Sequence, residues 1–219
     1  MKPGELRIRK ELVSCAHRIQ DRGLSHGSTG NVSVRWADMI LVTPTGTRLG
    51  EVTVDALSVI DLDGRHVDGP RPSKEAALHA AILRARPESN AVVHTHSTHA
   101  AAVSCIAESG SISAIPPLTA YFLMRVGELP LVPFFAPGDV GLAHEAERLA
   151  GVHRAMLLRN HGPIAAAEDV GTALDVIDEI EETAKVFLLL GAHQYEVVPF
   201  GSRGALRSAE TTSQRGSRP

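Results

Sequence analysis

Two histidines separated by one residue follow a short apolar run near the middle of the chain. His94 and His96 come directly after Ala91-Val92-Val93. Side chains two residues apart on a strand point to the same side, so both imidazoles can approach one metal ion at roughly 2.0–2.1 Å, the usual metal–nitrogen distance. The pair predicts half of a metal site, although an isolated pair of this kind is also compatible with a polar turn that binds nothing.

A third ligand has to come from elsewhere, and His161 is the best candidate. It lies in Asn-His-Gly-Pro (160–163), directly after an apolar run that is typical of a strand. His99 is the alternative, but we expect it to begin a helix and to point elsewhere. Glu75 is the natural carboxylate partner. Three histidines and an acid indicate a catalytic rather than a structural metal site, because a coordination position is left for substrate.

Three polar turns rich in Gly, Ser and Thr form a second pattern. They are GSTGNVS (27–33), TPTG (43–46) and PSKE (72–75). Turns of this kind present backbone N–H groups and hydroxyls to an anion, and the Ser73-Lys74 pair adds an ammonium group and a predicted helix start. None of them matches GxxxxGK[ST] or GxGxxG, which disfavours a nucleotide. With the metal set, they predict a small phosphorylated substrate.

Composition and charge exclude several classes of protein. The 219 residues are 43% hydrophobic with a net charge of −3, and no apolar stretch approaches the roughly 18 residues needed to cross a bilayer. The excess of acidic side chains argues against a nucleic-acid-binding protein, which would normally have a basic surface. The two cysteines, Cys15 and Cys105, are expected to be reduced thiols. The charged N-terminal segment is unlike a signal peptide, and we expect a cytoplasmic protein that binds neither membrane nor nucleic acid.

Periodicity and turn residues predict an α/β domain over residues 1–200 in which a mixed sheet is covered by helices. Helices are predicted over 5–22, 73–87 with Ser73 as its cap, 97–107, 143–151 and 168–192. Strands are predicted over 31–36, 39–46, a hairpin in 57–67 bent at Asp63-Gly64, 91–96, and two short strands within 154–167. Residues 201–219 are rich in Arg, Ser and Gly, and we expect this tail to be disordered.

These motifs, taken in order and spacing over roughly residues 5–198, resemble the class II aldolase/adducin family. GSTGNVS, TPTG, PSKEAALHAAILRARP, VVHTHSTHA and RNHGPIAA carry the resemblance. It implies a single-domain α/β/α sandwich with a mixed, mainly antiparallel sheet, a divalent metal of the Zn²⁺ type, and a homotetramer with sites at subunit interfaces.

The resemblance also implies roles for individual residues. The metal ligands would be His94, His96 and His161, with Glu75 as a further ligand or as the acid–base group. The phosphate-binding turns would contribute Thr29, Gly30, Asn31, Thr45, Gly46 and Ser73. Tyr121 falls where the family places an aromatic residue that reaches a neighbouring subunit's site, although a packed aromatic residue is an equal alternative. The remaining histidines show no partner pattern and are expected at the surface or in packing: His17, His26, His66, His79, His144, His153 and His193.

Finer features resemble the 3-oxo-tetronate 4-phosphate decarboxylase branch. Lys74 stands where the sugar-phosphate aldolases have a second serine, and residues 114–139 and 179–191 also resemble this branch. The implied activity is that of a carbon–carbon lyase, which releases CO₂ and forms dihydroxyacetone phosphate through a metal-bound enediolate. The alternatives are an L-fuculose-1-phosphate-type aldolase, a sugar-phosphate 4-epimerase, and a non-catalytic adducin-like module.

Overall fold

A computed structural model describes residues 3–202 and 204–206, and within them the chain folds around one eight-stranded sheet. The strands are β1 (Asn31–Trp36), β2 (Met39–Val42), β3 (Ser58–Asp61), β4 (His66–Asp68), β5 (Ala91–His94), β6 (Leu131–Val132), β7 (Ala155–Leu158) and β8 (Gly162–Ala167). Their order in the sheet is β4-β3-β2-β1-β5-β8-β7-β6. Every pair is antiparallel except β6 with β7. The mixed, mainly antiparallel sheet is therefore confirmed.

Helices cover both faces of this sheet. They are α1 (Pro3–Asp21), α2 (Ala76–Ala85), α3 (Thr98–Ile106), α4 (Ala120–Arg125), α5 (Val140–Ala150) and α6 (Val170–Leu190). Alternate strand residues feed two apolar layers: Val93 packs with α1, α3, α4 and α6, whereas Val92 packs with α2 and α5. The α/β/α sandwich is confirmed. None of the described helices has the length and apolarity that a bilayer crossing requires.

Several predicted boundaries are wrong, and proline explains two of them. The strand predicted over 39–46 ends at Val42, because Pro44 forms only an isolated bridge with Pro72. The strand predicted over 91–96 ends at His94, where the opposite strand supplies Pro163. Proline has no N–H to donate, so Pro44 and Pro163 cannot supply the next hydrogen bond to the strand beside them. The residues after both strands are thereby released into the irregular segments that carry polar side chains.

The helix predicted over 73–87 is shorter at both ends. It begins at Ala76, so Ser73 is not its cap; the Ser73 hydroxyl instead accepts from the Glu75 N–H at 3.2 Å in the preceding turn. It ends at Ala85, before the residue that precedes Pro87, as the restriction on that residue requires. Glu75 therefore occupies the position just before the helix rather than its first turn.

Two further differences concern the segment before β7. The helix predicted over 143–151 begins earlier, at Val140, because Asp139 accepts from the Gly141 N–H at 2.7 Å and caps it. Helix α4 and the two-residue strand β6 were not predicted, since prolines and glycines interrupt every periodic pattern there.

Three 3₁₀ turns complete the described elements: Leu49–Glu51, Val54–Ala56 and Phe200–Ser202. Most of the tail predicted to be disordered, residue 203 and residues 207–219, lies outside the described residues.

Candidate active site

Three imidazoles converge where the central strands end. His94 closes β5, His96 lies two residues beyond it, and His161 lies in the turn between β7 and β8. The Nε2 atom of His161 is 3.3 Å from Nε2 of His94 and 3.0 Å from Nε2 of His96. Three nitrogens held tetrahedrally at 2.0–2.1 Å from one ion would be about 3.3 Å apart. The three predicted ligands thus meet with the spacing of a metal site.

Backbone and hydroxyl groups fix how these histidines face one another. The His94 Nδ1–H donates to the Pro163 carbonyl at 2.9 Å, which turns Nε2 towards the His161 imidazole. The His96 N–H donates to Ser25 Oγ at 3.3 Å, and the His161 N–H donates to Ser104 Oγ, also at 3.3 Å. The ring of His94 and the backbones of His96 and His161 are therefore held by neighbours that lie outside the cluster.

Two glycines allow the backbone to approach the histidines closely. A Cβ on Gly162 would lie 2.2 Å from the Thr95 carbonyl oxygen, between the two histidine-bearing segments. Gly30 has a φ of +77°, and a Cβ there would lie 2.4 Å from Ser25 Oγ and 3.0 Å from the His94 carbonyl oxygen. A larger residue at either position would move the backbone that carries a histidine.

Glu75 lies beside the three imidazoles and is only 6% exposed. Its Oε2 accepts from Asn31 Nδ2 at 2.8 Å and lies 3.5 Å from His94 Nε2, whereas its Oε1 lies 3.4 Å from His161 Nε2. Burial raises the pKa of Glu75, but His94 and the Asn31 hydrogen bond outweigh it and lower the pKa to about 2. The carboxylate is therefore ionised near neutral pH.

The donor set fits a divalent cation. Burial, followed by the neighbouring imidazoles, lowers the pKa of His96 to about 3, and burial with His94 lowers the pKa of His161 to about 4. Both rings are thus neutral near pH 7, as metal ligands must be. Glu75 Oε1 is buried and accepts no hydrogen bond from the described residues. A cation held by the imidazoles would satisfy that oxygen directly or through its bound water.

An open cleft of about 310 Å³ leads to this cluster. Every residue that the resemblance assigned to phosphate binding, together with Lys74, lines it: Thr29, Gly30, Asn31, Thr45, Gly46, Ser73 and Lys74. Glu75, His96 and His161 line the same cleft. The three polar turns, distant in sequence, therefore surround one space whose inner end is the histidine cluster.

Two residues singled out by sequence lie apart from the cluster. Tyr121 does not line the cleft: it is 57% exposed on α4 and stacks near Arg125, whose Cζ is 5.4 Å from the ring centroid. His99 turns towards α6, where its Nδ1 lies 2.7 Å from Glu181 Oε1. The structure therefore places His99 outside the group of converging imidazoles, as expected.

Sequence reasoning missed two groups that support the site. His79, expected to be a surface or packing histidine, is fully buried and hydrogen-bonded to Asn31. Glu181 binds the backbone that follows His96 through the N–H groups of His99 and Ala100. His79 follows Glu75 by four residues, the spacing of neighbours on one helix face, but that spacing alone does not indicate the contact with Asn31.

Comparisons with known proteins agree with this geometry. Residues 10–188 match the model of the class II aldolase and adducin N-terminal domain. A 3-oxo-tetronate 4-phosphate decarboxylase of Pectobacterium atrosepticum is 42% identical over 188 residues, 85% of this chain and 86% of the relative. An L-fuculose phosphate aldolase of Escherichia coli is 33% identical over 184 residues, 83% of either chain. YgbL from Escherichia coli, whose crystal structure carries the combined description aldolase/epimerase/decarboxylase, superposes with a TM-score of 0.87 at 38% identity, covering 93% of this chain and 99% of YgbL.

Proposed function

Because the chain belongs to the class II aldolase and adducin family, we propose that it is a divalent-metal-dependent lyase that decarboxylates a 3-oxo-tetronate 4-phosphate. The products are dihydroxyacetone phosphate and CO₂. The observation that carries the proposal is the convergence of His94, His96 and His161 beside Glu75 at the inner end of a cleft lined by polar turns. The substrate follows from the 42% identity to a decarboxylase of that name.

The three imidazoles would hold the cation, for which we propose Zn²⁺. When bound, it supplies positive charge that polarises the 3-oxo group and stabilises the electrons left behind when CO₂ departs. The histidines contribute neutral nitrogen ligands, which leave the full charge of the ion available to the substrate. Nitrogen donors at this spacing are typical of zinc sites that keep a position open.

The polar turns would bind the 4-phosphate. The turn at Thr45 and Gly46 and the turn at Ser73 both line the cleft and lie side by side, because Pro44 and Pro72 form a bridge between them. Lys74 adds a positive charge at the same wall. Phosphate held here would place the other end of a four-carbon acid at the histidines. Anchoring of this kind fixes which carbon–carbon bond breaks.

Glu75 would move the proton. Loss of CO₂ from C1 leaves an electron pair on C2, and a proton on C2 completes dihydroxyacetone phosphate. Since Glu75 is ionised at rest, it must first take that proton from water in the open cleft and then deliver it to C2. The reaction consumes one proton for each CO₂ released. The buried Oε1, which faces His161, is the oxygen with a free lone pair for this transfer.

An aldolase acting on L-fuculose phosphate is the second candidate, favoured by the 33% identity to such an enzyme. Retro-aldol cleavage needs the same ligands and the same carboxylate, so the cluster itself does not separate the two reactions. We place the decarboxylase first for two reasons. The identity to the decarboxylase is 42% against 33% to the aldolase, and Lys74 stands where the sugar-phosphate aldolases have a second serine. A non-catalytic module would not need a complete set of metal ligands. An epimerase has less support than either lyase.

A coupled assay separates the two lyases. The metal-loaded protein is given either a 3-oxo-tetronate 4-phosphate or L-fuculose 1-phosphate, and dihydroxyacetone phosphate and CO₂ are followed in parallel. Equal amounts of both products from the oxo acid alone are the expected result. Dihydroxyacetone phosphate with lactaldehyde and without CO₂, from the sugar phosphate, would make the protein an aldolase.

The assembly and location remain parts of the same proposal. Tyr121 is exposed on α4 and lies outside its own chain's cleft, a position that suits a residue acting in the cleft of another subunit of a homotetramer. The cytoplasmic location stays a prediction from the sequence.

A further inference from the structure

His79 is a fully buried histidine in which both ring nitrogens are hydrogen-bonded. Its Nε2 lies 2.5 Å from Asn31 Oδ1, and its Nδ1 lies 2.7 Å from Ser33 Oγ. Asn31 and Ser33 are two residues apart on β1 and so face the same side, while His79 lies on the first turn of α2, four residues after Glu75, which immediately precedes that helix. Strand and helix together bring these four side chains into one line of hydrogen bonds. It runs from Ser33 through His79 and Asn31 to Glu75 Oε2.

The direction of every hydrogen bond in this line follows from its inner end. An ionised carboxylate only accepts, so Asn31 must turn its NH₂ group to Glu75 and its Oδ1 to His79. His79 Nε2 must then carry the hydrogen, and Nδ1 must be the bare nitrogen that accepts from the Ser33 hydroxyl. Burial lowers the pKa of His79 to about 3, which agrees with a neutral ring.

The two carboxylate oxygens of Glu75 have different hydrogen-bonding environments. Oε2 is held by Asn31, whereas Oε1 is buried, accepts no hydrogen bond from the described residues and faces His161. If Asn31 were free to flip, its oxygen would face Oε2 and repel it, and the carboxylate would rotate away. The donor on His79 Nε2 is what prevents this flip.

We propose that His79 is a positioning residue that acts through Asn31 to keep Glu75 Oε1 directed at the reacting end of the cleft. Ser33 supports the required tautomer of His79 by donating its hydroxyl hydrogen to Nδ1. The inference rests on the proposed function only in taking Glu75 as the reacting carboxylate. The hydrogen positions that the network predicts can be tested without a substrate.

The first experiment measures those hydrogen positions in the unmodified protein. Long-range ¹H–¹⁵N correlation spectra of the ¹⁵N-labelled chain, without and with Zn²⁺, report which nitrogen of each histidine is protonated. His79 is expected to be neutral with its hydrogen on Nε2 in both states, and a Ser33→Ala variant should weaken that preference. A His79 ring that is protonated on Nδ1, or on both nitrogens at neutral pH, would overturn the proposal whatever the enzyme's substrate.

The second experiment tests the consequence for turnover. Gln at position 79 can place an N–H near the former Nε2, whereas Asn reaches only as far as the former Nδ1. His79→Gln should therefore keep most of kcat, whereas His79→Asn and His79→Leu should lower kcat about 10- to 100-fold, as loss of a ligand's supporting partner usually does. KM should change less than kcat in all three, because the hydrogen bonds of the His79 ring run to Asn31 and Ser33 and not to the turns at Thr45 and Ser73.

A matched control is His17→Leu, which removes a histidine hydrogen-bonded through Nε2 to the Val52 carbonyl, away from the cleft. It should leave kcat unchanged. Equal losses in the Gln and Asn variants would show that His79 only fills space and would contradict the proposal. A complete lack of turnover with every substrate would instead contradict the proposed function, while the spectra would still decide on the network.

Discussion

The carboxylate of Glu181, in the middle of α6, caps helix α3 by binding His99. Its Oε1 accepts from the His99 N–H at 3.0 Å and lies 2.7 Å from His99 Nδ1, and its Oε2 accepts from the Ala100 N–H at 2.9 Å. A buried acid on another helix thus satisfies N–H groups that a local cap would usually bind. The contact connects α6 to the segment that carries His96.

Removing this cap should destabilise the fold. Glu181→Ala leaves buried backbone N–H groups without a partner, and we expect the free energy of unfolding to fall by about 1–3 kcal/mol. Urea denaturation measures the change. Glu182→Ala, at the exposed neighbouring position of α6, is the control and should be close to neutral. An unchanged midpoint for the Glu181 variant would show that water replaces the carboxylate without cost.

Metal removal should abolish activity and lower the melting temperature, because a cation that binds only the folded chain stabilises it by mass action. Metal content after dialysis and thermal unfolding with and without chelator are the measurements. His96→Ala should lose the metal, whereas His99→Gln should retain it. Loss of metal from the His99 variant would place that histidine among the ligands.

Gly162→Ala should disturb the turn that carries His161. The added methyl group would lie 2.2 Å from the Thr95 carbonyl oxygen, and relieving that overlap should cost about 1–3 kcal/mol and weaken metal binding. Isothermal titration with Zn²⁺ and chemical denaturation check both effects. Gly151→Ala is the matched control, since its Cβ would meet its nearest atom at 3.8 Å. Equal metal affinity in the two variants would show that the turn at His161 accepts a methyl group at position 162 without moving.

Acid should destabilise the metal-free protein through three neutral histidines. The pKa values of His79 and His96 are lowered to about 3 and that of His161 to about 4, from 6.5. The unfolded chain therefore binds these protons below pH 6.5 while the folded chain does not. Their stability contribution is complete above pH 6.5 and falls as the pH drops, down to about pH 4 for His161 and about pH 3 for His79 and His96, with a slope of about 1.4 kcal/mol per pH unit for each histidine.

The measurement is the free energy of unfolding against pH in the presence of a chelator. A His161→Gln variant should show a shallower slope between pH 6 and pH 4.5, because one titrating group is gone. A slope unchanged by this substitution would mean that His161 titrates normally in the folded state.

Lys74→Ser should separate substrate preference from catalysis. Lys74 is exposed at the cleft wall, so the substitution should leave the free energy of unfolding within about 0.5 kcal/mol. We expect KM for the oxo acid phosphate to rise while metal content is unchanged. Steady-state kinetics with both candidate substrates test this, and an unaltered KM would show that the Lys74 ammonium only faces solvent.

The convergence of the three histidines could be predicted from sequence because they lie where apolar strands end. His94 and His161 both adjoin runs whose burial is evident from composition, so their meeting at one sheet edge follows from strand pairing. The polar turns were recognisable for a similar reason: glycine and hydroxyl residues mark where the backbone turns. The central sheet and the long helix α6 carry strong periodic patterns and were correct in type.

Features that depend on contacts between distant elements were not predictable. His79 looks like any helical histidine until Asn31, 48 residues earlier, lies against it. Glu181 gives no sign in α6 that it caps another helix. Helix α4 has only six residues between prolines and glycine, too few for a period to show. Local patterns therefore located the reacting groups, but tertiary contacts decide which residues orient them.

Asn31 and His94 are direct cross-strand partners on β1 and β5, the two strands at the centre of the eight-stranded sheet. Their amide hydrogens should therefore exchange with solvent only when the whole domain opens, whereas those of Thr45 and Ser73, beyond the strand ends, can exchange through local opening. The most protected strands thus hold Asn31 and His94, whereas the turns that we propose to bind the substrate lie in less protected segments. The proposed function then implies that substitutions in those turns can accumulate over evolution without altering the chemistry at the histidines.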